Sequence, residues 1–348
     1  MPATTPGPGP RRRAAVFYNP AMAADRDLGV AFASAWFRER PAPSTGWEMT
    51  AATGVRGLRL LVEAGAFAEF TFTETNPSAR HVLEANASGR PGVRVVAADA
   101  RHPFDGGPFD YVDLDPYGTP VPFLATAIAA VKPGGVLAVT ATDMMVLAGA
   151  QPTACERRYG ARPIRGRLGP EGGLRVLLGY VARQVRVRGR SLRPLLGYVR
   201  DHHVRAYVSI GPANDEPDPV AKIDPASWTG PDIGGRGPYG PFWLGRLMDA
   251  ELVRNLSVPT GAARPGEVRS FLEHLKEEVT VDVPFYYEAN RLAGDLGLAR
   301  PPALSDVLVD LRSRGFRAAR THVRPEGFRT DAPRDVVERS VARLSAVR

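Results

Sequence analysis

Strand-like and helix-like segments alternate along residues 47–140, and few fold classes accommodate such an alternation. Short apolar runs with strand character are separated by helical patterns that carry apolar residues on one face. The strand candidates are residues 47–53, 70–74, 93–98, 109–114 and 135–140, with helix candidates at 58–64, 78–86 and 121–131. This order favours an open, doubly wound α/β sheet, in which ligands bind beyond the carboxyl ends of the strands.

Residues suited to a nucleotide-like ligand recur at these strand ends. Gly54 opens a small-residue turn between the first strand and its helix, although the full G-x-G-x-x-G pattern is absent. Glu74 ends the second strand, where a carboxylate can accept hydrogen bonds from two ribose hydroxyls. Asp99 follows the third strand. A single acid after a strand is commonly a helix cap, so the prediction depends on the recurrence. Near the start of the chain, Tyr18 and Arg26 lie beside charged residues and are candidates for ligand contact.

The fourth strand candidate runs into the sequence Asp-Leu-Asp-Pro-Tyr-Gly-Thr-Pro, residues 113–120. The carboxylate of Asp115 and the carbonyl of Pro116 can each accept an N–H, and the ring of Tyr117 can lie on a flat base. Such a clamp suits an exocyclic amine that is held toward a methyl donor. The alternative is a turn rich in proline and glycine that only ends the strand.

The charge of the chain is compatible with a nucleic-acid partner. The formal net charge is +8, and arginine supplies nearly all of the positive charge, because lysine occurs only at positions 132, 222 and 276. Guanidinium groups bind phosphate oxygens bidentately and stack on bases. A GC-rich genome also favours arginine codons, so composition alone does not decide between the two explanations.

Other site classes are excluded by composition. Cys155 is the only cysteine, which rules out an intramolecular disulfide and a zinc site built from several cysteines. No apolar run approaches the ~18 residues of a membrane span, and the start of the chain lacks the apolar core of a signal peptide. We therefore expect a cytoplasmic protein with no membrane partner and no metal.

Three regions are predicted along the chain. Residues 1–15 are rich in proline, glycine and arginine and are predicted to form a disordered basic arm. Residues 16–215 form the α/β domain, which includes a basic loop over residues 154–167. Residues 220–348 form a smaller α+β domain, with helices over 244–256, 266–279, 284–296, 305–314 and 333–344 and two short strands about Pro325-Glu326-Gly327. The last region fits either a winged-helix-like nucleic-acid binder or a generic lid. Seven basic residues cluster about its strands, namely Arg312, Arg314, Arg317, Arg320, His322, Arg324 and Arg329.

Several of these blocks together resemble the Trm1-type tRNA (guanine-N2-)-dimethyltransferase family. The resemblance covers about residues 16–338 and is carried by blocks that occur in one order: Phe17-Tyr18-Asn19-Pro20 with Asp25-Arg26-Asp27, residues 52–59, residues 113–120, Thr140-Ala141-Thr142-Asp143-Met144, residues 154–160, residues 241–245, Phe285-Tyr286-Tyr287 and Arg320-Thr321-His322. It implies a Rossmann-like class I S-adenosylmethionine-dependent methyltransferase domain with a smaller C-terminal α+β domain that binds tRNA. The implied reaction is mono- and/or dimethylation of a guanine N2 amine, with position 26 of tRNA as the expected target and a neighbouring guanine as the alternative.

The resemblance also implies roles for individual residues. S-adenosylmethionine would be bound by Arg26, Arg56, Gly54, Glu74, Asp99 and Ala100, with Glu74 at the ribose and the last two at the adenine. Asp115 and the carbonyl of Pro116 would hold the guanine amine, and Tyr18 and Tyr117 would stack on the base. Glu48 and Glu74 stand where the family commonly has Asp, and Tyr117 where it commonly has Phe.

Two rival functions remain open at the level of sequence. One is an amino methyltransferase that acts on DNA adenine or protein glutamine, but such sites usually carry a second proline where this chain has Tyr117. The other is a tRNA-binding protein that has kept the fold and lost catalysis. The presence of Asp115 and of the implied cofactor residues argues against it.

Overall fold

The computed structural model describes residues 16–38, 44–103, 106–281 and 283–346. The chain divides into two compact units, each made of three segments. The first comprises Met1–Pro116, Pro122–Val139 and Asn255–Leu272, and the second comprises Tyr117–Val121, Thr140–Arg254 and Glu273–Arg348. The predicted basic arm lies outside the described residues. The predicted domains, residues 16–215 and 220–348, are contiguous along the chain, unlike these two units, and the division into domains stays a prediction.

The first unit is built on a parallel sheet. Its elements are α1 (Ala23–Phe37), β1 (Ser44–Glu48), α2 (Val55–Glu63), β2 (Phe67–Thr73), α3 (Pro77–Ala87), β3 (Val93–Val96), β4 (Phe109–Leu114), α4 (Leu124–Ala130) and β5 (Val131–Ala141). The strands pair in the order β3-β2-β1-β4-β5, all parallel. The predicted doubly wound α/β arrangement is confirmed, with four strands near their predicted positions, whereas the first strand, predicted at residues 47–53, is β1 at Ser44–Glu48 and residues 49–53 form the turn after it. Its consequence for function is that all five strands end at one edge of the sheet.

Aromatic packing and buried hydrogen bonds fix the strands that carry the candidate site. The rings of Phe67, Phe70 and Tyr111 pack on one another with centroids 5.2–6.4 Å apart. The indole of Trp47 donates a hydrogen bond to the Thr73 hydroxyl at 3.1 Å, which satisfies both polar groups where β1 and β2 end. The ends of β1, β2 and β4 are therefore rigidly placed relative to one another.

A remote segment of the chain completes the first unit. The buried carboxylate of Asp27 accepts hydrogen bonds from the backbone N–H groups of Ala263 and Arg264, at 3.1 and 2.9 Å. It also pairs with the guanidinium of Arg59 at 2.6 Å. Residues 255–272 are therefore held against the helices of this unit by one acid of the Asp-Arg-Asp motif.

The second unit contains helices and antiparallel sheets. Its elements are α5 (Met144–Leu147), α6 (Pro152–Tyr159), α7 (Gly169–Arg186), β6 (Arg190–Arg200), β7 (His203–Pro212), β8 (Val220–Ile223), β9 (Tyr239–Trp243), α8 (Ala250–Asn255), α9 (Pro265–Glu278, which starts in the first unit), β10 (Tyr287–Glu288), α10 (Ala289–Asp295), α11 (Leu304–Ser313), β11 (Ala318–Arg320), β12 (Gly327–Thr330) and α12 (Arg334–Ala346). β6 pairs with β7, β8 pairs with β9, and the order β10-β12-β11 forms a third sheet.

Several element predictions for this unit were wrong in detail. Residues 190–200 form a long strand that was not predicted, and the predicted loop after residue 154 begins as helix α6, which starts with Pro152 and ends at Gly160 in the left-handed conformation. The predicted helix over 244–256 is confined to α8, because Asp249 caps its first turn by accepting N–H groups from Glu251 and Leu252. The predicted pair of short strands gains β10 as a third member.

Two of the seven clustered basic residues belong to a buried ionic network. Arg329 is 2% exposed, and its guanidinium pairs with Glu171 at 2.8 Å and with Glu278 at 2.5 Å. The ring of His322 contacts Glu278 through Nδ1 at 2.5 Å and accepts the Val199 N–H on Nε2 at 3.0 Å. Because Nε2 accepts, Nδ1 carries the proton and donates to the carboxylate. Arg329 and His322 therefore hold the fold together and do not face a nucleic acid.

Candidate active site

Carboxylates gather at the carboxyl edge of the parallel sheet. Glu48 closes β1, Glu74 follows β2, Asp99 follows β3, and Asp113 and Asp115 lie at the end of β4. The strands lie side by side, so the sheet brings the predicted residues of the first unit to a common edge.

Glu74 is held in place by two backbone groups. Its Oε2 accepts the N–H of Ala52 at 2.7 Å, and its Oε1 accepts the N–H of Asn76 at 2.8 Å. The carboxylate thus joins the turn after β1 to the start of α3. Each oxygen still has a second lone pair, so the group can also accept from a ligand's hydroxyls.

Gly54 is required by the turn in which it lies. Its φ is +70°, and a Cβ at this position would lie 2.2 Å from Cδ1 of the buried Leu83. A side chain here would meet both backbone strain and a clash. The glycine therefore lets the chain enter α2 directly, with the N–H groups of the first turn at the sheet edge.

Asp99 and Ala100 form a small turn after β3. The carboxylate of Asp99 accepts the backbone N–H of Arg101 at 2.9 Å and pairs with its guanidinium at 2.5 Å. The hydrogen bond from the Arg101 side chain lowers the pKa of Asp99 to about 2, so this acid is ionised at neutral pH. Ala100 is buried beside it.

Asp115 and Arg56 are in direct contact. Nη2 of Arg56 lies 2.6 Å from Oδ2 of Asp115, and its Nε lies 4.0 Å from Oδ1 of Asp113. The guanidinium is 5% exposed and Asp115 is 22% exposed, so the pair is shielded from water while one side of the carboxylate remains reachable. The family resemblance implied Arg56 as a cofactor residue and Asp115 as an amine-holding residue. The structure joins the two.

Glu48 is a functional candidate that the sequence reasoning noted only as a substitute for Asp. Its carboxyl group is buried, and Oε2 accepts the N–H of Gly57 at 2.9 Å. Burial, and then the negative charge of Asp113, raise its pKa to about 8, although Arg56 acts in the opposite direction. Glu48 therefore carries a proton at neutral pH, so the edge carries less negative charge than its five carboxyl groups suggest.

Tyr18, which precedes α1, contacts Arg26, which lies in the first turn of that helix. The guanidinium of Arg26 donates to the Tyr18 hydroxyl at 3.3 Å and to the carbonyl of Asn19 at 3.1 Å. Its central carbon lies 5.0 Å from the centroid of the Tyr18 ring. Burial lowers the pKa of Arg26, while Tyr18 is 45% exposed and can offer its ring to a ligand.

In the second unit, the loop of residues 117–121 is fixed by hydrogen bonds. The N–H of Gly118 donates to the Thr142 hydroxyl at 2.7 Å, and the N–H of Thr142 donates to the Gly118 carbonyl at 2.9 Å. The hydroxyls of Thr119 and Tyr159 are 2.8 Å apart. Tyr117 is 69% exposed on this loop, so a fixed backbone carries an aromatic ring that is largely accessible to solvent.

Asp143 organises the contacts behind that loop. Its carboxylate accepts the Tyr159 hydroxyl at 2.9 Å and pairs with Arg158 at 2.6 Å. Tyr159 therefore donates to Asp143 and accepts from Thr119. Tyr159, Thr142 and Asp143 were quoted from their sequence blocks, but no role was predicted for them, because only the fold brings these blocks to residues 117–121.

No helix among the described residues is long and apolar enough to cross a membrane. No group of three or more His, Cys, Asp or Glu side chains in that same part of the chain could hold a metal ion.

Comparison with known proteins gives consistent matches along the chain. A family model described as N2,N2-dimethylguanosine tRNA methyltransferase matches residues 10–223 and 234–342. A tRNA (guanine(26)-N(2))-dimethyltransferase of Thermococcus kodakarensis is 35% identical over 93% of this chain and 92% of its own length. The protein of the same name from Pyrobaculum calidifontis is 33% identical, over 95% and 93% of the two chains. The solved complex of Trm1 from Pyrococcus horikoshii with S-adenosyl-L-methionine is similar with a TM-score of 0.83 and 28% identity, covering 95% of this chain and 96% of that chain.

Proposed function

The chain belongs to the N2,N2-dimethylguanosine tRNA methyltransferase family, and from this premise we propose that it methylates the exocyclic N2 amine of guanine 26 in tRNA. It is a methyltransferase that uses S-adenosylmethionine, and its fold is the Rossmann-like α/β fold expected of that class, with an additional C-terminal domain. The similarity to the solved complex with this cofactor, along nearly the whole chain, is the observation that carries the proposal.

The residues of the first unit fit the cofactor's functional groups. Glu74 offers two fixed carboxylate oxygens to the ribose hydroxyls, and Asp99 with Ala100 offers a turn for the adenine. Arg26 and Arg56 are the two arginines that contact the cofactor in this proposal, and Arg56 does so while it is paired with Asp115. When bound, S-adenosylmethionine supplies a methyl group on a positively charged sulfur.

Asp115 and Pro116 hold the amine of the substrate. The N2 amine of guanine is conjugated with its ring and is a poor nucleophile, so the protein acts mainly by orientation and electrostatics. The Asp115 carboxylate and the Pro116 carbonyl accept its two N–H bonds and stabilise positive charge on nitrogen as the new N–C bond forms. Arg56, 2.6 Å from Asp115, keeps the carboxylate in one position. Proton loss follows methyl transfer, and a second methylation needs one N–H still held.

Tyr18 and Tyr117 receive the base. A guanine that leaves its stack loses a few kcal/mol, and stacking on an aromatic ring returns ~1–3 kcal/mol per contact. Both rings are exposed enough to stack, at 45% and 69%. In this proposal, residues 220–348 contribute contacts to the tRNA. The enzyme works in the cytoplasm, where its tRNA substrate is found.

Methyl transfer to defined tRNA transcripts tests the proposal. Radiolabelled cofactor should label a transcript with guanine at position 26 and should not label the same transcript with adenine there. Mass spectrometry of the digested nucleosides then separates the mono- from the dimethylated product. Label that enters DNA or protein would support the rival methyltransferase activity, and tRNA binding without transfer would support the non-catalytic one.

A further inference from the structure

The exposed arginines about the C-terminal strands are mostly engaged with acids. Arg312 pairs with Glu277 at 2.7 Å, Arg314 with Asp310 at 3.0 Å, and Arg317 with Asp331 at 2.8 Å. A guanidinium that already faces a carboxylate offers phosphate little net charge. These arginines are therefore poor candidates for the principal tRNA contact, despite their number.

A second group of arginines lies on α6 and the loop that follows it. Arg157, Arg162 and Arg165 are exposed, and no acidic side chain among the described residues lies within ion-pair distance of them. Three positive charges within nine positions thus remain available to a partner. We define these three residues as the α6 ridge.

The backbone beneath the α6 ridge is well fixed. Gly160 ends α6 in the left-handed conformation, and the chain then pairs with β9 through two hydrogen bonds between Arg162 and Gly240, at 2.8 and 2.7 Å. The guanidinium of Arg162 lies 5.2 Å from the centroid of the Tyr239 ring, which orients it and leaves its N–H donors available. Because the backbone is already ordered, binding a phosphate here costs little conformational entropy.

The α6 ridge connects at both ends to relevant residues of the same unit. Tyr159, next to Arg157 and Arg158 on α6, bonds Thr119 in the loop that presents Tyr117. At the other end, the Tyr286 hydroxyl donates to the carbonyl of Arg167 at 2.7 Å and is hydrogen-bonded by Arg324. Hydrogen bonds therefore connect the segment that carries the α6 ridge to the loop of residues 117–121 at one end and to Tyr286, a partner of Arg324, at the other.

We propose that the α6 ridge is the principal contact for the tRNA phosphate backbone, with Arg324 as its distal end. The inference rests on the proposed function, because tRNA is the partner. Guanidinium groups bind phosphate oxygens bidentately, and a ridge joined to the loop of residues 117–121 fixes the backbone near the guanine that is methylated. The paired arginines of the C-terminal strands serve the fold.

Two triple variants with the same loss of charge test the proposal. Arg157→Gln/Arg162→Gln/Arg165→Gln removes the α6 ridge, and Arg312→Gln/Arg314→Gln/Arg317→Gln removes three paired arginines as the control. Binding of labelled tRNA is measured over a series of KCl concentrations. Each lost phosphate contact lowers the slope of log K against log salt by about 0.7–0.9, so the ridge variant should lose about 2–3 in slope and the control less than about 1.

Each possible result decides the proposal. If the ridge variant keeps the wild-type affinity for tRNA and the wild-type salt slope, or if the control loses as much slope as the ridge variant, the proposal about the α6 ridge is wrong. Neither result would affect the proposed function, because the wild-type protein would still methylate tRNA. A wild-type protein that neither binds nor methylates tRNA would overturn the proposed function itself. The far-UV circular dichroism spectrum and the urea unfolding midpoint should be unchanged in both variants, which checks that the second unit is folded, and a control that fails this check is replaced by the single variant Arg317→Gln. If the ridge triple fails this check, the single variants Arg157→Gln and Arg165→Gln replace it, each with an expected slope change of about 0.7–0.9.

Discussion

The buried carboxyl group of Glu48 makes stability depend on pH in a predictable direction. Its pKa is about 8 in the folded chain, against an ordinary value of 4.5. Between these values the folded state binds a proton that the unfolded state has released, so the free energy of unfolding falls as pH rises from about 4.5 through about 8. Each pKa unit corresponds to about 1.4 kcal/mol, so the loss attributable to Glu48 is roughly 3–5 kcal/mol.

Glu48→Gln removes this loss and keeps most of the local structure. The amide oxygen can still accept the Gly57 N–H, and no charge has to be buried beside Asp113. The variant should be nearly as stable as the wild type at about pH 5 and more stable than it by a few kcal/mol at about pH 9, because only the wild type is penalised there.

Urea unfolding of both proteins at the two pH values measures this difference. Other titrating groups are common to both proteins and cancel in the comparison. Glu84→Gln, at a half-exposed position on α3, is the matched control for the same chemical change at a surface site. A stability difference between Glu48→Gln and the wild type that stays constant with pH, or grows in the opposite direction, would refute the assignment of a proton to Glu48.

Three further predictions concern the proposed roles of individual residues. Asp115→Asn should lower methyl transfer by about 100-fold or more while calorimetry shows near-normal cofactor affinity, and a parallel loss of affinity would place Asp115 in the cofactor site. Glu74→Ala should weaken S-adenosylmethionine binding about ten- to a hundredfold. An unchanged dissociation constant would show that this acid only accepts hydrogen bonds from the two backbone N–H groups and does not bind the cofactor. Tyr159→Phe removes the hydroxyl between Thr119 and Asp143 and should lower kcat about tenfold with unchanged dissociation constants for cofactor and tRNA. A kcat at the wild-type value would show that this hydroxyl does not position the loop.

The parts of the fold that local sequence determines were predictable. β4 coincides with the predicted strand, because an apolar run is bounded by Pro108 and Pro116. Gly54 was predicted as a turn residue, and its positive φ explains why. β6 was missed, because Pro194 interrupts its pattern where the ladder shifts register against β7.

Contacts between distant residues were beyond the reach of sequence patterns. The Arg56–Asp115 pair joins positions 59 residues apart, and Arg329 meets Glu171 across 158 residues. An arginine on a strand has the same local signature whether it faces water or a buried carboxylate. The charge cluster in the sequence therefore predicted a basic surface about the C-terminal strands, whereas in the structure Arg312, Arg314 and Arg317 of that cluster pair with acids.

The anchoring of residues 255–272 by Asp27 affects whether the two units can be exchanged separately by recombination during evolution. The chain passes between its two units five times, so any single break between residues 117 and 272 leaves one unit without part of itself. A break after Asp218, for example, separates Asp27 from the N–H groups of Ala263 and Arg264 that satisfy its buried charge. Recombination within this interval would join segments that had not been selected together. The two units are therefore expected to descend as one gene rather than as exchangeable modules.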